Sequence, residues 1–246
     1  MALPFSFLVL QEHPYGREML RILLERGHRP ALILQEDSPV ADEEREKFLT
    51  RIAGQPVPPT IAELTAGLGI PQHQVENHND DASRAILAAA DLPLMVLGGT
   101  RILRPPILAL ASSGVLNAHP GLLPRLRGSS SVAWALYQDL PIGSTVHFVD
   151  AGIDTGPILL RRTLPVRPGE TYQALVRRVL TLSGELMAEA LARLEAGSLK
   201  ATPQDPAAGE TLRVIPPELL AQALERLAQG RYSHCAAGTD PKEAHG

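Results

Sequence analysis

Short apolar runs that alternate with helix-forming segments constrain the fold of this chain most. Residues 5–10 are apolar and rich in strand formers, residues 14–27 carry apolar side chains at helical spacing, and residues 31–34 form a second apolar run. Strand, helix and strand in so short a stretch make one βαβ unit, with strands covered on both faces. We therefore expect an α/β fold that begins with two parallel strands.

The same alternation continues along the chain. Four more apolar runs predict strands, the last as a hairpin partner of the third: residues 92–97, 115–119, 145–149 and 158–160. Three stretches predict helices: residues 83–90, 172–194 and 217–227. The charged residues 42–47 are typical of a solvated helix face. The pattern predicts an open, mostly parallel, twisted sheet with helices on both faces.

With 246 residues the chain is long enough for a large domain with a sizeable core. We expect one catalytic domain over residues 1–200 and a short helical extension over residues 201–231. Residues 232–246 are mostly small or polar and include two His residues, which predicts a disordered tail.

Composition excludes several function classes. The 23 Lys and Arg residues are balanced by 27 Asp and Glu residues, which disfavours electrostatic binding to nucleic acid or to an anionic membrane. The one cysteine, Cys235, cannot form an internal disulfide, so we expect a reduced, cytoplasmic protein without a structural metal site. The most apolar window, residues 85–103, is interrupted by Asp91, Pro93 and two glycines, so no membrane-spanning helix is expected.

Polar side chains gather where two of the predicted segments end. Asn117 and His119 lie two residues apart on a strand, so they project to the same face at its carboxyl end. Ligands of open α/β sheets bind at this edge. An amide donor and an imidazole are therefore expected to share one site. Further along the chain, two glycines and a proline constrain a loop that contains Asp150 and Asp154, and such a loop can hold a side chain without helical or strand geometry.

The order and separation of these motifs resemble the folate-dependent formyltransferases, the family that includes glycinamide ribonucleotide transformylases and methionyl-tRNA formyltransferases. The resemblance covers roughly residues 92–165, and four linked motifs in one order are far more specific than a single short motif. The motifs are Asn117-x-His119-Pro120, Leu122-Leu123-Pro124-x-x-x-Gly128, Thr145-x-His147 and Asp150-x-Gly152-x-Asp154-Thr155-Gly156. The resemblance implies a Rossmann-like formyltransferase fold.

The resemblance also implies formyl-tetrahydrofolate as the formyl donor, no metal, and Asn117, His119 and Asp154 as the catalytic residues. Attack of an amine on the formyl carbon places negative charge on the formyl oxygen, which the Asn117 amide and a donating His119 can stabilise. Asp154 would orient the imidazole and help to relay the proton that the amine loses. His147 is expected to support the site from nearby.

The family's folate pocket maps by motif onto two stretches of this chain. Apolar side chains would line a slot for the pterin, and main-chain groups would read its edge. The implied folate-binding residues are Thr100, Arg101, Ile102, Leu103, Asp150, Ala151, Gly152 and Ile153.

Four further residues are candidates for binding the formyl acceptor. Glu12 and His13 follow the first strand, and Arg125 and Arg127 follow the Asn-x-His motif, where they suit a phosphate or a carboxylate. For each of them a structural or solvent-exposed role is an open alternative. We treat His73 and His78 as surface residues.

The acceptor itself is predicted from departures from the family pattern. Glu12 stands where transformylases of the purine pathway have a phosphate loop, and the family's late Glu-His pair is absent from the neighbourhood of residues 183–185. About 45 residues follow Lys200, and we expect them to form a helix and a tail rather than the tRNA-binding barrel. Nor do we expect the regulatory domain of the hydrolases.

The main hypothesis is therefore formyl transfer to a small-molecule amine, such as an amino sugar, an amino acid derivative or a natural-product intermediate. Alternatives are a phosphoribosylglycinamide formyltransferase, a formyl-tetrahydrofolate hydrolase and a folate-binding protein without turnover. A dinucleotide-dependent oxidoreductase is disfavoured, because the first turn lacks GxGxxG. The oligomeric state is left open, with a homodimer as one option.

Overall fold

The computed structural model describes residues 3–235, in which strands and helices alternate as the sequence predicts. The strands are β1 (Phe5–Leu10), β2 (Leu32–Glu36), β3 (Gln72–Val75), β4 (Leu94–Leu97), β5 (Gly114–His119), β6 (Leu126–Gly128), β7 (Gly143–Phe148), β8 (Ile158–Thr163) and β9 (Glu210–Leu212). The helices are α1 (Pro14–Glu25), α2 (Pro39–Arg51), α3 (Ile61–Thr65), α4 (Asp81–Ala90), α5 (Pro105–Leu108), α6 (Ser131–Tyr137), α7 (Tyr172–Glu195) and α8 (Pro217–Ala228).

The central sheet has seven strands in the order β3-β2-β1-β4-β5-β7-β8. Its first five strands are parallel, whereas β7 runs antiparallel to β5 and β8 antiparallel to β7. The predicted, mostly parallel α/β sheet is thus confirmed. From β1 the chain moves to one side of the sheet, through β2 and β3, and from β4 it moves to the other side. Such a reversal opens a crevice at the carboxyl ends of the strands, where ligands of this architecture bind.

Two apolar layers cover the faces of the sheet. On one face, α1 and α7 pack on the sheet through buried side chains such as Met19, Leu20 and Leu186. On the other face, α4 and α5 contribute Leu87 and Ile107 to a smaller apolar cluster. Helices therefore cover both faces, and the strands read as nearly continuous apolar runs because both of their faces are buried.

The C-terminal part differs from the prediction. Besides α8, it contains a short 3-10 helix, Pro206–Ala208, and strand β9, which pairs in parallel with β6. Tyr232, placed in the predicted tail, is buried and donates a hydrogen bond to the Leu140 carbonyl at 2.6 Å. The prediction of a disordered tail therefore does not describe residues 232–235, where the chain packs back onto the domain. The remainder of the predicted tail, residues 236–246, lies outside the described residues.

The sequence patterns did not predict two short strands, β3 and β6. Strand β3 has three exposed residues out of four, and β6 has only three residues, so neither carries the apolar run of a buried strand. In the described part of the chain, every helix is too short or too polar to span a bilayer.

Candidate active site

A cleft of about 500 Å³ opens at the carboxyl ends of β1, β4 and β5. The crevice predicted from strand order therefore exists. Its polar centre consists of four side chains, which we call the polar cluster: Asn117, His119, His147 and Asp154.

Strand pairing brings Asn117 and His147 together, because the antiparallel register sets them opposite each other on β5 and β7. Asn117 Nδ2 lies 3.2 Å from His147 Nε2, and His147 Nδ1 lies 2.8 Å from the Phe148 carbonyl. A carbonyl only accepts, so Nδ1 carries a proton, and in the neutral ring Nε2 accepts from the Asn117 amide. His147 thus orients Asn117, and the second amide N–H of Asn117 remains for a ligand.

His119 is buried, with 3% of its surface exposed, and both of its ring nitrogens face protein atoms. Nε2 lies 2.8 Å from the Leu126 carbonyl and 3.1 Å from Ser131 Oγ, and Nδ1 lies 3.2 Å from Asp154 Oδ2. Burial lowers the pKa of His119, and the Asp154 carboxylate opposes that lowering. Because a carbonyl only accepts, Nε2 carries a proton, and Nδ1 is the nitrogen that can accept a second proton beside the carboxylate.

Asp154 stands in a constrained loop. Its φ of 54° lies in the left-handed region, which costs a residue with a side chain about 1 kcal/mol or more. Oδ2 accepts a hydrogen bond from Gly128 N at 2.8 Å, and Oδ1 lies 3.5 Å from His147 Nε2. Burial opposes ionisation, but the two imidazoles and the Gly128 N–H outweigh it and lower the pKa of Asp154 to about 2. The carboxylate is ionised at neutral pH.

The three residues predicted to act together are therefore neighbours, and His147 joins them. Asn117, His147 and Asp154 line the cleft, whereas His119 lies just behind them. The arrangement offers an amide donor, an ionised carboxylate and two imidazoles that can hold a proton. These groups suit acyl transfer, in which charge develops on an oxygen while a nitrogen loses a proton.

One wall of the cleft consists largely of the predicted folate-binding residues. Seven of the eight line it: Thr100, Arg101, Ile102, Leu103, Asp150, Gly152 and Ile153. Ile102 is 71% exposed and Ile153 is 45% exposed, which is unusual for large apolar side chains beside a cleft. A flat ring system inserted there would cover them.

Asp150 and Ala151 differ from the other predicted folate-binding residues in what their side chains contact. Asp150 lines the cleft, but its Oδ1 accepts from Gly152 N at 3.0 Å and from Thr155 Oγ1 at 2.6 Å, so its carboxylate shapes the loop. Ala151 is exposed and does not line the cleft.

The side chain of Arg101 has a partner that the sequence did not indicate. Its guanidinium forms a two-pronged ion pair with Glu36, a fully buried residue at the end of β2. His78 Nδ1 lies 3.2 Å from Glu36 Oε2, and His78 N donates to the same oxygen at 2.8 Å. Our expectation of a surface position for His78 was wrong, because this ring is buried against Glu36. Only the exposed position of His73 agrees with it.

The opposite side of the cleft is formed by the turn after β1 and by α2. We call it the outer wall, and it consists of His13, Glu44, Phe48 and Arg51. The charged segment 42–47 does present a solvated face, but the same helix turns Phe48 and Arg51 toward the cleft. A smaller cavity of about 60 Å³ continues from Phe48 and Arg51 along Tyr172 and Val176.

Two groups of the outer wall can donate hydrogen bonds into the cleft. Burial lowers the pKa of His13 to about 4, with help from the charges of Arg51 and Arg45, so the ring is neutral at pH 7. Its Nδ1 accepts from Tyr15 N at 3.2 Å, which leaves the ring proton on Nε2. Two of the carboxylates on α2 are engaged elsewhere: Asp42 pairs with Arg45 and Glu44 with Lys47.

Three of the predicted acceptor-binding residues lie outside the cleft lining. Glu12 accepts from Ile61 N at 3.1 Å and pairs with Arg17 at 3.4 Å, so its charge is directed to α1 and α3. Arg127 is buried and bonds to Gln204 and to main-chain carbonyls of the C-terminal segment. Arg125 is exposed on the loop. Of the four, only His13 lines the cleft.

Known proteins with similar sequences cover only part of this chain. It is 40% identical over 152 residues to a methionyl-tRNA formyltransferase of Anaeromyxobacter dehalogenans, a match that covers 61% of this chain and 49% of that protein. The chain thus spans about half the length of the curated relatives it matches.

Solved structures share the fold over most of the chain. Phosphoribosylglycinamide formyltransferase from Anaplasma phagocytophilum superimposes with a TM-score of 0.62 at 19% identity, covering 85% of this chain and 98% of that one. The formyltransferase PseJ from Anoxybacillus kamchatkensis, solved in complex with UDP-4,6-dideoxy-4-formamido-L-AltNAc and tetrahydrofolate, gives 0.56 at 19% identity, covering 94% and 95%. Both confirm the predicted formyltransferase fold.

The family profile described as formyl transferase matches residues 34–191, which is more than half of the chain and includes the whole polar cluster. The resemblance inferred from the linked motifs is confirmed, and this chain belongs to the formyl transferase family.

Proposed function

We propose that this protein transfers a formyl group from formyl-tetrahydrofolate to the amine of a small molecule. The observation that carries the proposal is the polar cluster, in which Asn117, His147 and Asp154 face a cleft with two chemically different walls. The apolar wall at Ile102 and Ile153 suits the folate. The outer wall is left for the amine.

In the reaction, the acceptor nitrogen bonds to the formyl carbon, the bond from that carbon to the folate nitrogen breaks, and the proton lost by the amine ends on the folate nitrogen. Asn117 donates its free amide N–H to the formyl oxygen as negative charge develops there. Because its other N–H is held by His147, the amide needs little reorganisation.

Proton movement falls to the imidazoles and Asp154. Asp154 is too weak a base to keep a proton, but its charge stabilises a protonated imidazole at His119 Nδ1 or His147 Nε2. In the described geometry His119 does not face the cleft, so its role is to hold charge behind Asp154. Direct contact with the formyl group falls to Asn117.

The outer wall supports an acceptor that carries an anionic group. Arg51, His13 and Phe48 line the cleft, so this wall combines a guanidinium, a neutral imidazole and an apolar ring. Glu44 lines it too, but its carboxylate pairs with Lys47 at 3.0 Å. Among amino sugars, amino acid derivatives and natural-product intermediates, this wall favours those with a carboxylate or a phosphate. The earlier objection from Glu12 does not apply, because that carboxylate is engaged by Ile61 N and Arg17.

The methionyl-tRNA formyltransferases among the relatives make a tRNA-linked amine a second candidate. The exposed face of α2, at the rim of the cleft, weighs against it: it carries Asp42, Glu43 and Glu46 as well as Glu44. With Arg45, Lys47 and Arg51 counted, the helix has four acidic and three basic residues, so it offers no net positive charge to the phosphates of a nucleic acid.

Release of tetrahydrofolate, measured with a panel of amines, tests the proposal. We expect turnover with amines that carry a carboxylate or a phosphate, and at most slow turnover without an amine. Fast release without any amine would instead identify a hydrolase. Tight folate binding without turnover on every amine, including methionyl-tRNA, would identify a binding protein.

A further inference from the structure

The C-terminal segment that follows α7 reaches back to the loop of Asp154. Residues 202–212 lie outside the matched family region. They nevertheless contact both strand β6 and the loop that contains Asp154. Thr202 and Ile158 exchange two main-chain hydrogen bonds of 2.8 Å, and β9 pairs with β6, the strand that contains Gly128. The segment thus joins β6 to the aspartate loop.

Gln204 makes the most direct of these contacts. Its Nε2 donates to the main-chain carbonyls of Asp154 and Gly156, at 2.9 Å and 2.6 Å. Its Oε1 accepts from Arg127 Nε and Nη2, both at 3.3 Å. The orientation of the amide is fixed by these partners, since carbonyls only accept and a guanidinium only donates.

Arg127 anchors Gln204 from β6. It is buried, and it donates also to the carbonyls of Asp205 at 3.0 Å and Pro206 at 3.3 Å. Within residues 3–235 its charge is met by these carbonyls and by Gln204, not by a carboxylate in an ion pair. Removing the segment would therefore leave a buried cation without partners, which is costly.

The two ends of Asp154 are thus tied to the same strand. Its carboxylate accepts from Gly128 N, and its main-chain carbonyl is held by Gln204, which Arg127 holds in turn. Asp154 needs such support because its φ of 54° is disfavoured in the absence of surrounding constraints.

We propose that Gln204 is a positioning residue for Asp154, and that the segment 202–212 is part of the formyl-transfer machinery. It acts through the Asp154 main chain and touches neither the donor nor the acceptor. Its effect on turnover rests on the proposed function, whereas its effect on the Asp154–His119 geometry does not.

The variant Gln204→Glu separates positioning from folding. It keeps an oxygen for Arg127, with an added opposite charge, but it replaces the N–H donors that hold the loop. The matched control is Gln222→Glu, the same change at an exposed position on α8. We expect kcat of Gln204→Glu to fall by about tenfold to a hundredfold at an unchanged folded fraction, with KM values near those of the wild type.

Ring titration of His119 by NMR gives a second measurement that needs no turnover. If Gln204→Glu displaces the Asp154 carboxylate, His119 loses the charge that opposes its burial, and its pKa falls below the wild-type value; Gln222→Glu leaves it unchanged. A wild-type titration of His119 in Gln204→Glu overturns the proposal, and so does a wild-type kcat. A wild type that is inert with every amine defeats the proposed function instead, and the titration still decides the role of Gln204.

Discussion

The polar cluster and the outer wall are two sides of one cleft, and they are built differently. In the cluster, Asn117, His119, His147 and Asp154 bond to one another or to neighbouring main-chain atoms. In the outer wall, Arg51 and His13 line the cleft, and within residues 3–235 neither the Arg51 guanidinium nor the Nε2 of His13 has a hydrogen-bond partner. A preorganised cluster suits a reaction, because its groups need not reorganise as charge develops. An open wall with unsatisfied donors suits recognition of a ligand.

This comparison predicts that changes in the cluster lower kcat and changes in the outer wall raise the acceptor KM. The largest effect is expected for Asp154→Asn, because it removes the charge that stabilises a proton on either imidazole. Steady-state kinetics should show kcat reduced by about 10² to 10⁴, with donor and acceptor KM little changed. A kcat close to that of the wild type would remove Asp154 from the reaction.

A smaller effect, confined to one substrate class, is expected for Arg51→Ala. Loss of a charged hydrogen-bond donor should raise the KM of an anionic amine about tenfold to a hundredfold, without changing the KM of the folate donor. Arg125→Ala, which removes an exposed arginine outside the cleft, is the matched control. Equal KM values for Arg51→Ala and the control would show that the outer wall does not bind the anion.

Glu36→Gln tests the folate wall. The substitution leaves Arg101 without its carboxylate partner, so we expect a loss of about 2 kcal/mol in the free energy of unfolding and a several-fold rise in the donor KM. Urea denaturation and folate titration measure the two effects. Glu76→Gln, at an exposed position, should change neither. An unchanged donor KM would limit Glu36 to a stabilising role.

The smallest effect expected is a shift in the titration of His119. Burial lowers its pKa below 6.5, so the ring should be half protonated only at a pH below that value. In Asp154→Asn the opposing charge is gone, and the midpoint should move lower still. NMR of the ring measures both midpoints. A midpoint above 6.5 in the wild type would mean that Asp154 outweighs burial.

Sequence reasoning found the polar cluster because the order of its linked motifs resembles a known family and because part of its geometry is local. A separation of two residues on a strand fixes the relative positions of Asn117 and His119. Glycines within a few residues shape the loop of Asp154. The alternation of apolar runs and helices likewise sufficed for the sheet. These features depend on periodicity and turn chemistry, both of which are written in short stretches of sequence.

The outer wall and the supports of the site were missed because they depend on distant contacts. Glu36 meets Arg101 across 65 positions and Gln204 meets Asp154 across 50, and neither residue stands out in its local sequence. Phe48 and Arg51 belong to α2, for which the charged residues 42–47 predicted only a solvated face. Arg127 was a candidate for binding an anionic substrate, but its guanidinium donates to carbonyls of the C-terminal segment instead.

Transfer of an isotopic label tests the central claim most directly. The protein is mixed with formyl-tetrahydrofolate labelled with carbon-13 in the formyl group and with a carboxylate- or phosphate-bearing amine. We predict that the label appears as a formamide of that amine, in equal amount to the tetrahydrofolate released, and that Asp154→Asn abolishes its appearance. Label that appears as free formate, or at the same rate with Asp154→Asn, would contradict the account.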